Sequence, residues 1–463
     1  MFSFLILMAA GLPLAGQDAG DAKWVGTWMG DLKAGAVTLR IVFNISSTNG
    51  ALSATMDSPD QGAKGIPVSK VSADSSSITL EVKAASGSYA GTLSADGTSI
   101  DGTWSQGGQK FPILLKKQEG AFVLKRPQEP KPPFPYAASD VTFTNAKAGV
   151  SLAGTLTVPA GRGPFPGVVL VSGSGAQNRD EELMGHKPFA VIADYLSRNG
   201  IAVLRYDDRG VGGSKGDPAS ATTFDFADDA ESAFTYLSTR PEVDPRRVGI
   251  AGHSEGGLIA PMVASRNSKV AFIVMLAGPG LTGKDVLLTQ EEAISIAAGT
   301  DAAAAARGKA VSEKIYAILM RGGDAAANAV EAKRTYLEAI DAEPSLTAEQ
   351  KAQIDQAIAQ LSSPWMKAFI SIDPGTYLRK IRIPVLAMNG SRDLQVLADP
   401  NLSAVEADLK AAGNTRYKIA KLDGLNHLFQ HATTGLPDEY GKITETFAPE
   451  ALSMMKDWIL AVK

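Results

Sequence analysis

The sequence predicts an α/β protein: a mostly parallel sheet covered by helices on both faces, with a helical insertion and a small all-β domain before it. Two observations support this class. From about residue 140 onward, short apolar runs alternate with helical patterns, as they do in parallel βαβ units. Between residues 24 and 118, apolar and polar residues alternate with a period of two, which is typical of half-buried strands. A chain of 463 residues has room for both domains.

The composition is that of a globular protein with few candidates for a general base. The chain is 44% hydrophobic and 20% charged, and its net charge of −4 disfavours nucleic acid or an anionic membrane as a partner. It contains no cysteine, which excludes disulfides, thiolate catalysis and cysteine metal sites. It contains four histidines. We expect neither a metal nor another cofactor.

Residues 1–19 resemble a secretory signal peptide. Residues 2–14 are apolar and small residues follow them, although no basic residue precedes the apolar run. We therefore expect export to the periplasm or the medium, and a disordered N-terminus is the alternative. No other apolar run approaches the 18 residues of a membrane span.

The all-β domain is predicted at residues 24–118. Its short strands are separated by turn signals such as Asp96-Gly97, which indicates a tight hairpin, and such strands form a small sandwich or barrel. Three tryptophans fall in this domain: Trp24, Trp28 and Trp104. They could stack on sugars, but we favour core positions. Residues 119–139 are rich in proline and predict a semi-rigid linker in the polyproline II conformation.

The α/β domain is predicted at residues 140–280 and 376–463. Its predicted strands are residues 167–172, 201–206, 248–251, 270–276, 384–389 and 417–422, and its predicted helices are residues 189–199, 224–239, 402–412 and 449–462. The first of these strands, GVVLVS, is apolar throughout, as a strand buried on both faces must be.

The insertion is predicted at residues 281–375 and is rich in helix-forming residues. Its helices are predicted at residues 285–298, 302–320, 325–341 and 348–371, and Thr347 with Gln350 fits a capping box at the last one. It enters from a loop at the carboxyl edge of the sheet, so we expect a lid over a substrate site rather than peripheral packing. In that lid, Trp365 and Phe369 are the expected substrate contacts.

Residues 247–258 read RVGIAGHSEGGL and contain the sequence G-x-S-x-G between a strand and a helix. This context is the nucleophile elbow, in which the strand turns sharply and exposes a serine, here Ser254. The Glu255 N–H then lies at a helix N-terminus, where it can bind an oxyanion. A second match at residues 212–216 follows a polar run and leads into Asp217-Pro218, so we do not expect Ser214 to be the nucleophile.

A serine nucleophile needs a base and a carboxylate that orients the base. Asp393 and His427 each follow a predicted strand, and Ser254, Asp393, His427 is the chain order that α/β-hydrolases use. The alternative candidates are Asp399 for the carboxylate and His431 for the base. The two other histidines have structural interpretations: the His253 side chain should point away from substrate, and His186 should lie at the surface or in packing.

The second oxyanion donor is expected in the loop of residues 173–176. Ser174 N–H is the first choice and Gly175 N–H the second, because glycines here allow close backbone approach. The run Asp207-Asp208-Arg209 could bind a metal. We favour an Arg–Asp network that braces the loops, because no further ligands cluster there.

Five segments together resemble the bacterial exported esterases of the α/β-hydrolase fold, which are kin to the serine aminopeptidase and prolyl oligopeptidase-like groups. They are SGSGAQNRDE (172–181), KPFAVIADYLSRNGIAVLRYDDRGVGGS (187–214), GHSEGG (252–257), NGSRDLQV (389–396) and NHLFQ (426–430). The resemblance covers residues 140–463. It implies the α/β-hydrolase fold and the triad Ser254, Asp393 and His427, often behind an N-terminal β domain.

These observations predict a serine-dependent hydrolase of small carboxylic esters with short or medium acyl groups, and they say nothing of its oligomeric state. A peptidase with the same triad is the first alternative. An aminopeptidase would need carboxylates in the insertion to bind a substrate ammonium, and the candidates are Glu291, Glu292, Asp341 and Glu343. In the second alternative, the β domain binds carbohydrate and the triad removes acetyl groups from glycans.

Overall fold

The computed structural model describes residues 21–34, 37–120, 124–340 and 346–462. The chain divides into two compact units, Met1–Val123 and Leu124–Lys463. The segment predicted as a signal peptide, and Asp341 and Glu343, lie outside the described residues. None of the helices within those ranges combines the length and the apolar character needed to cross a membrane. The predicted fold class, an all-β unit followed by an α/β unit, is confirmed.

The first unit is one antiparallel sheet. The strands within its described residues are β1 (Gly26–Ala34), β2 (Val37–Thr48), β3 (Ala51–Ser58), β4 (Ala63–Pro67), β5 (Lys70–Ala73), β6 (Ser77–Val82), β7 (Gly87–Leu93), β8 (Ser99–Gln106) and β9 (Gln109–Gln118). They are ordered β4-β3-β2-β1-β9-β8-β7-β6-β5. The predicted hairpin at Gly97, where φ is 70°, joins β7 and β8.

This sheet curls on itself. Between its two edge strands, Val68 N–H donates to Ala54 O of β3 (3.1 Å) and Ser69 N–H donates to Glu81 O of β6 (2.7 Å). The curl encloses one apolar core. Trp24, Trp28 and Trp104 lie in it and are 0%, 0% and 2% exposed. The core interpretation of the tryptophans is therefore confirmed, and stacking on a sugar is excluded for all three.

The second unit contains a mixed sheet. Its strands in the described ranges are β10 (Tyr136–Asn145), β11 (Val150–Pro159), β12 (Phe165–Val171), β13 (Ala202–Tyr206), β14 (Val243–His253), β15 (Ile273–Leu276), β16 (Val385–Gly390) and β17 (Tyr417–Leu422). They are ordered β10-β11-β13-β12-β14-β15-β16-β17. β10 and β11 are antiparallel to their neighbours, and the strands from β13 to β17 run parallel.

Helices cover both faces of this sheet. The described helices are α1 (Pro188–Arg198), α2 (Thr223–Ser238), α3 (Glu255–Arg266), α4 (Gly283–Ala297), α5 (Ala302–Met320), α6 (Ala325–Ile340), α7 (Ala348–Leu361), α8 (Pro364–Ser371), α9 (Gly375–Leu378), α10 (Ala398–Ala411), α11 (Pro437–Tyr440) and α12 (Pro449–Ala461). On β12, Val169 and Val171 face the core under α2, α3 and α10, whereas Val168 and Leu170 face the core under α1 and α12. Two buried faces explain why this strand is apolar throughout.

The linker predicted at residues 119–139 is shorter than expected. The Arg126 guanidinium donates to the carbonyls of Gly185, Met184, Gly441 and Ile443 at 2.9–3.3 Å. The Gln128 carboxamide accepts from the N–H groups of Thr446 and Phe447 and donates to Phe447 O, and β10 already begins at Tyr136. The linker was predicted from the proline content alone, which does not report the contacts of Arg126 and Gln128. Because of these contacts, the stretch from Leu124 onward belongs to the α/β unit.

The insertion is helical, with one correction. The helix predicted at residues 348–371 is two helices, α7 and α8. Ser363 caps α8 by accepting a hydrogen bond from Met366 N–H, and Pro364 occupies the first position of α8. Because proline lacks an N–H and clashes with the preceding turn, α7 cannot continue through it. The capping box of Thr347 and Gln350 begins α7, where it was predicted.

Candidate active site

Ser254 lies at a sharp turn between β14 and α3. Its backbone has φ 53° and ψ −117°, a strained conformation for a residue with a side chain. The flanking glycines make the turn possible. A Cβ on Gly252 would overlap the carbonyl oxygen of Gly256, and a Cβ on Gly256 would overlap that of Val171. The G-x-S-x-G spacing thus meets a steric requirement of this turn.

Asp393 and His427 lie in the loops after β16 and β17, and both are buried. His427 Nδ1 donates to Asp393 Oδ2 at 2.9 Å. The other carboxylate oxygen accepts the N–H groups of Gln395 (2.8 Å) and Val396 (2.9 Å), which fixes the carboxylate. Ser254 and His427 line the same cavity. The structure thus brings together the three residues that the sequence predicts as a triad.

The rival residues are engaged elsewhere. Asp399 pairs with Lys421 at 2.8 Å on the surface. The His431 side chain is 56% exposed and pairs with Glu445 at 2.9 Å. Ser214 is buried, where its hydroxyl donates to Asp207 O (2.7 Å) and accepts from Ala153 N–H (2.9 Å). Ser214 therefore connects the loop after β13 to strand β11.

The predicted oxyanion donors lie in two places, at the start of α3 and in the loop after β12. The Glu255 N–H begins α3 directly after Ser254. In the loop after β12, Gly173 N–H already donates to Glu181 Oε1 at 2.7 Å, whereas Ser174 N–H has no acceptor in the described part of the chain. Ser174 lines the cavity and Gly175 does not. The geometry favours Ser174 over Gly175 as the second donor.

The cavity beside Ser254 has a volume of about 240 Å³. The insertion supplies one wall through Val286, Leu287, Gln290, Trp365 and Phe369. Trp365 and Phe369 stack with ring centroids 5.5 Å apart. The substrate contacts predicted in the insertion therefore lie on this wall.

The Glu255 side chain was not anticipated as part of the site. It is 2% exposed and accepts hydrogen bonds from Thr223 Oγ1 (2.6 Å) and Trp365 Nε1 (2.9 Å). Burial raises the pKa of this carboxyl despite these hydrogen bonds. Glu255 thus ties the helix after the nucleophile to the wall of the cavity. The G-x-S-x-G pattern leaves this position free, so no sequence signal marks it.

The run Asp207-Asp208-Arg209 forms the network that was favoured over a metal site. Asp207 pairs with Arg179 at 2.8 Å, and Arg209 pairs with Asp229 at 2.7 Å. Asp208 accepts hydrogen bonds from Ser172 Oγ (2.8 Å) and Gln177 N–H (3.0 Å), which lie on either side of residues 173–176. Among the described residues, no three His, Cys, Asp or Glu side chains are grouped to hold a metal ion.

Asp208 should make stability fall as the pH rises. Burial, helped by the charges of Glu255 and Glu181, raises the pKa of Asp208 from 3.8 to about 8. The native state then holds a proton that the unfolded chain releases, so this contribution is complete below about pH 4 and is lost as the pH rises to about 8. Relative to Asp208→Asn, the wild type should lose about 1.4 kcal/mol of unfolding free energy per pH unit between pH 5 and 7.5. Urea unfolding of both proteins at these pH values measures the difference, and parallel pH dependences would refute the shift.

Comparison with known proteins assigns the family. Residues 186–431, more than half of the chain, match the family described as serine aminopeptidase, S33. The chain therefore belongs to this family, as its resemblance to serine aminopeptidase kin predicted. The matched region does not include the β domain or residues 1–19.

Several relatives are similar over part of their length. Esterase EstD from Thermotoga maritima is 31% identical over 279 residues, which are 60% of this chain and 58% of EstD. The uncharacterized protein YfhR from Escherichia coli K12 is 32% identical over 27% of this chain and 41% of its own length. The chain thus spans less than two thirds of these relatives. The solved structure of the α/β hydrolase GrgF from Penicillium sp. sh18 aligns at 18% identity with a TM-score of 0.43, covering 70% of this chain and 99% of GrgF.

Proposed function

We propose that this protein is a serine-dependent hydrolase of carboxylic esters with short or medium acyl groups. One observation carries the proposal. A serine on a strained strand–helix turn faces the same cavity as a histidine whose Nδ1 is held by a buried aspartate at 2.9 Å. The similarity to an esterase from Thermotoga maritima supports ester chemistry. No cofactor is needed for this reaction.

The proposed reaction has two steps. His427 takes the Ser254 proton as Ser254 Oγ attacks the ester carbonyl, and the N–H groups of Glu255 and Ser174 bind the oxyanion. The C–O bond to the alcohol then breaks, and the alcohol leaves with the proton from His427. In the second step His427 deprotonates a water that attacks the acyl-enzyme carbonyl. The C–O bond to Ser254 then breaks, the acid leaves, and His427 returns the proton to Ser254 Oγ. Asp393 holds the imidazole in the tautomer that presents its free Nε2.

The size and lining of the cavity support small acyl groups. Its volume of about 240 Å³ is below the range of about 300–1,000 Å³ that is typical of sites for drug-sized ligands. The side chains that close one wall, Val286, Leu287, Trp365 and Phe369, are predominantly apolar. An acyl chain of a few methylenes fits such a wall.

An aminopeptidase activity has less support from the cavity, despite the family's description. Among the described residues that line the cavity, Glu181 is the only carboxylate, and Gly173 N–H and His253 already occupy its Oε1. Glu291 and Glu292, the candidates for an ammonium site, do not line the cavity, and Glu292 pairs with Lys309 at 2.7 Å. The carboxylate that lines the cavity is thus already paired with His253, which weakens it as a partner for a substrate ammonium.

A substrate panel tests the proposal. We expect p-nitrophenyl acetate and butyrate to be hydrolysed with kcat/KM at least about 100-fold higher than alanyl- or leucyl-p-nitroanilide. Acetylated xylose should be no better than p-nitrophenyl acetate. A preference for the aminoacyl nitroanilides would establish the peptidase instead, and a preference for the acetylated sugar would establish the glycan esterase. Activity on none of the compounds would reject all three.

Phe369 should set the acyl-length preference. Phe369→Ala removes a ring from the cavity wall, and each methylene that a substrate then buries contributes about 0.8 kcal/mol. We expect the optimum among p-nitrophenyl acetate, butyrate, hexanoate and octanoate to move to a longer chain by two or more carbons. The matched control is Phe224→Ala, since Phe224 is 47% exposed and does not line the cavity. An unchanged acyl-length profile for Phe369→Ala would show that this wall does not contact the acyl chain.

The α/β unit should be active without the β domain. A chain that begins at Leu124 keeps every proposed site residue and the contacts of Arg126 and Gln128. Its kcat/KM on p-nitrophenyl acetate should lie within roughly tenfold of the full chain, or about 1.4 kcal/mol. A chain that begins at residue 131 loses those contacts and should unfold at a lower temperature. A folded but inactive chain from Leu124 would show that the β domain helps to build the site.

Export is also proposed, supported by the apolar run and small residues at 1–19. N-terminal sequencing of the protein from the periplasm and medium of expressing cells tests it. A mature N-terminus near residue 20 is expected. An uncleaved chain confined to the cytoplasm would refute export.

A further inference from the structure

His253, the residue before the proposed nucleophile, is buried between two hydrogen-bond acceptors. Its Nδ1 lies 2.9 Å from Glu181 Oε1, and its Nε2 lies 2.9 Å from the main-chain oxygen of His427. A neutral imidazole has one N–H, whereas an imidazolium has two. A His253 that donates to both partners at once is therefore charged, and the ion pair with Glu181 compensates its charge.

The surroundings of His253 support the charged form. Burial alone lowers the pKa of His253, but the Glu181 carboxylate, the His427 carbonyl and the charge of Asp393 together raise it above its usual value. Glu181 Oε1 also accepts the Gly173 N–H at 2.7 Å, as a carboxylate oxygen can. Both side chains of the pair are less than 10% exposed.

The pair is connected to the main chain at or beside Ser254, His427 and Ser174. His253 is covalently joined to Ser254, and it bonds the carbonyl of His427. Glu181 bonds Gly173, next to the proposed oxyanion donor Ser174. The Glu181 backbone has φ 50°, which is uncommon for a residue with a side chain. This strained residue carries the carboxylate that contacts Gly173 and His253.

We propose that Glu181 and His253 are positioning residues: as a buried ion pair they hold the loops of His427 and Ser174 in register with Ser254. This inference rests on the proposed function, because it assigns His427 and Ser174 their roles in ester hydrolysis. It adds a second His–carboxylate pair, which acts through the main chain of His427 and Gly173.

Two variants of Glu181 separate positioning from simple structural support. Glu181→Gln can keep, in its amide oxygen, the acceptor for both Gly173 N–H and His253 Nδ1–H, and it removes the negative charge of the pair. Glu181→Ala removes the acceptor of both Gly173 N–H and His253 Nδ1–H. We expect Glu181→Ala to lower kcat for p-nitrophenyl acetate about 100-fold, as a misplacement of reacting groups does, with KM changed less than about threefold. Glu181→Gln should recover kcat to within about tenfold of the wild type.

The rate at which a fluorophosphonate labels Ser254 should follow kcat in these variants. A wild type that fails to react would refute the proposed function. A wild type that reacts, with a folded Glu181→Ala variant that reacts equally fast with unchanged kcat, would refute only the positioning role.

A measurement on the wild-type protein covers the case in which Glu181→Ala does not fold. NMR of protein labelled with ¹⁵N-histidine reports the protonation of each ring nitrogen, and the signal that disappears in His253→Gln is that of His253. At pH 7 this signal should show protons on both ring nitrogens. A neutral ring at that pH would overturn the ion pair.

Discussion

Replacing Ser254 by alanine should lower kcat for p-nitrophenyl acetate by on the order of 10⁴-fold or more. The substitution removes the one hydroxyl that the strained turn presents to the cavity beside His427. Alanine adopts φ 53° no less readily than serine, so the melting temperature should change little. Steady-state kinetics and thermal unfolding of the same preparation measure both effects.

Ser214→Ala is the matched control, because Ser214 occupies the chain's other G-x-S-x-G sequence. Its hydroxyl joins Asp207 and Ala153, so its loss should lower stability by about 1 kcal/mol and leave kcat nearly unchanged. A loss of kcat for Ser214→Ala as large as that expected for Ser254→Ala would mean that the wrong serine has been assigned.

Replacing His427 by alanine should cost about as much as Ser254→Ala, and the double variant little more, because nucleophile and base act as one unit. Asp393→Asn should cost less. It keeps an oxygen for Gln395 and Val396 N–H, but it presents an amide to Nδ1 and favours the wrong tautomer of the imidazole. Kinetics of the single and double variants at pH 8 measure these losses.

His431→Ala serves as the control for the base. The His431 side chain is 56% exposed and pairs with Glu445 and Glu450. Its replacement should leave kcat within about twofold. A deeper loss for His431→Ala than for His427→Ala would show that the general base was misassigned.

The α/β fold was predictable because its strands carry a strong local signal. β12 is apolar throughout since both of its faces are buried, and β17 has the bounds that the sequence predicts. β10 and β11 escaped prediction. β10 lies at the sheet edge with most of its side chains exposed, so it lacks the pattern of a buried strand.

The proposed triad was predictable because each member follows a strand and parallel strands end at one edge of the sheet. The residues around it were not. His253 and Glu181 are separated by 72 positions, and Glu255 meets Trp365 across 110 positions. In the sequence, each is an ordinary residue of a strand, loop or helix, and only the fold brings its partner near. The anchoring of Arg126 to carbonyls over 300 residues away was hidden for the same reason.

The most direct test of the account is the site of covalent labelling by a fluorophosphonate. The probe reacts with a serine that a neighbouring base activates and that oxyanion donors assist. Mass spectrometry of the digested wild-type protein should find one adduct per chain, on the peptide that contains Ser254, and no adduct after substitution of His427 by alanine. An adduct on Ser214 or another serine, or an esterolytically active protein that takes up no probe, would contradict the account.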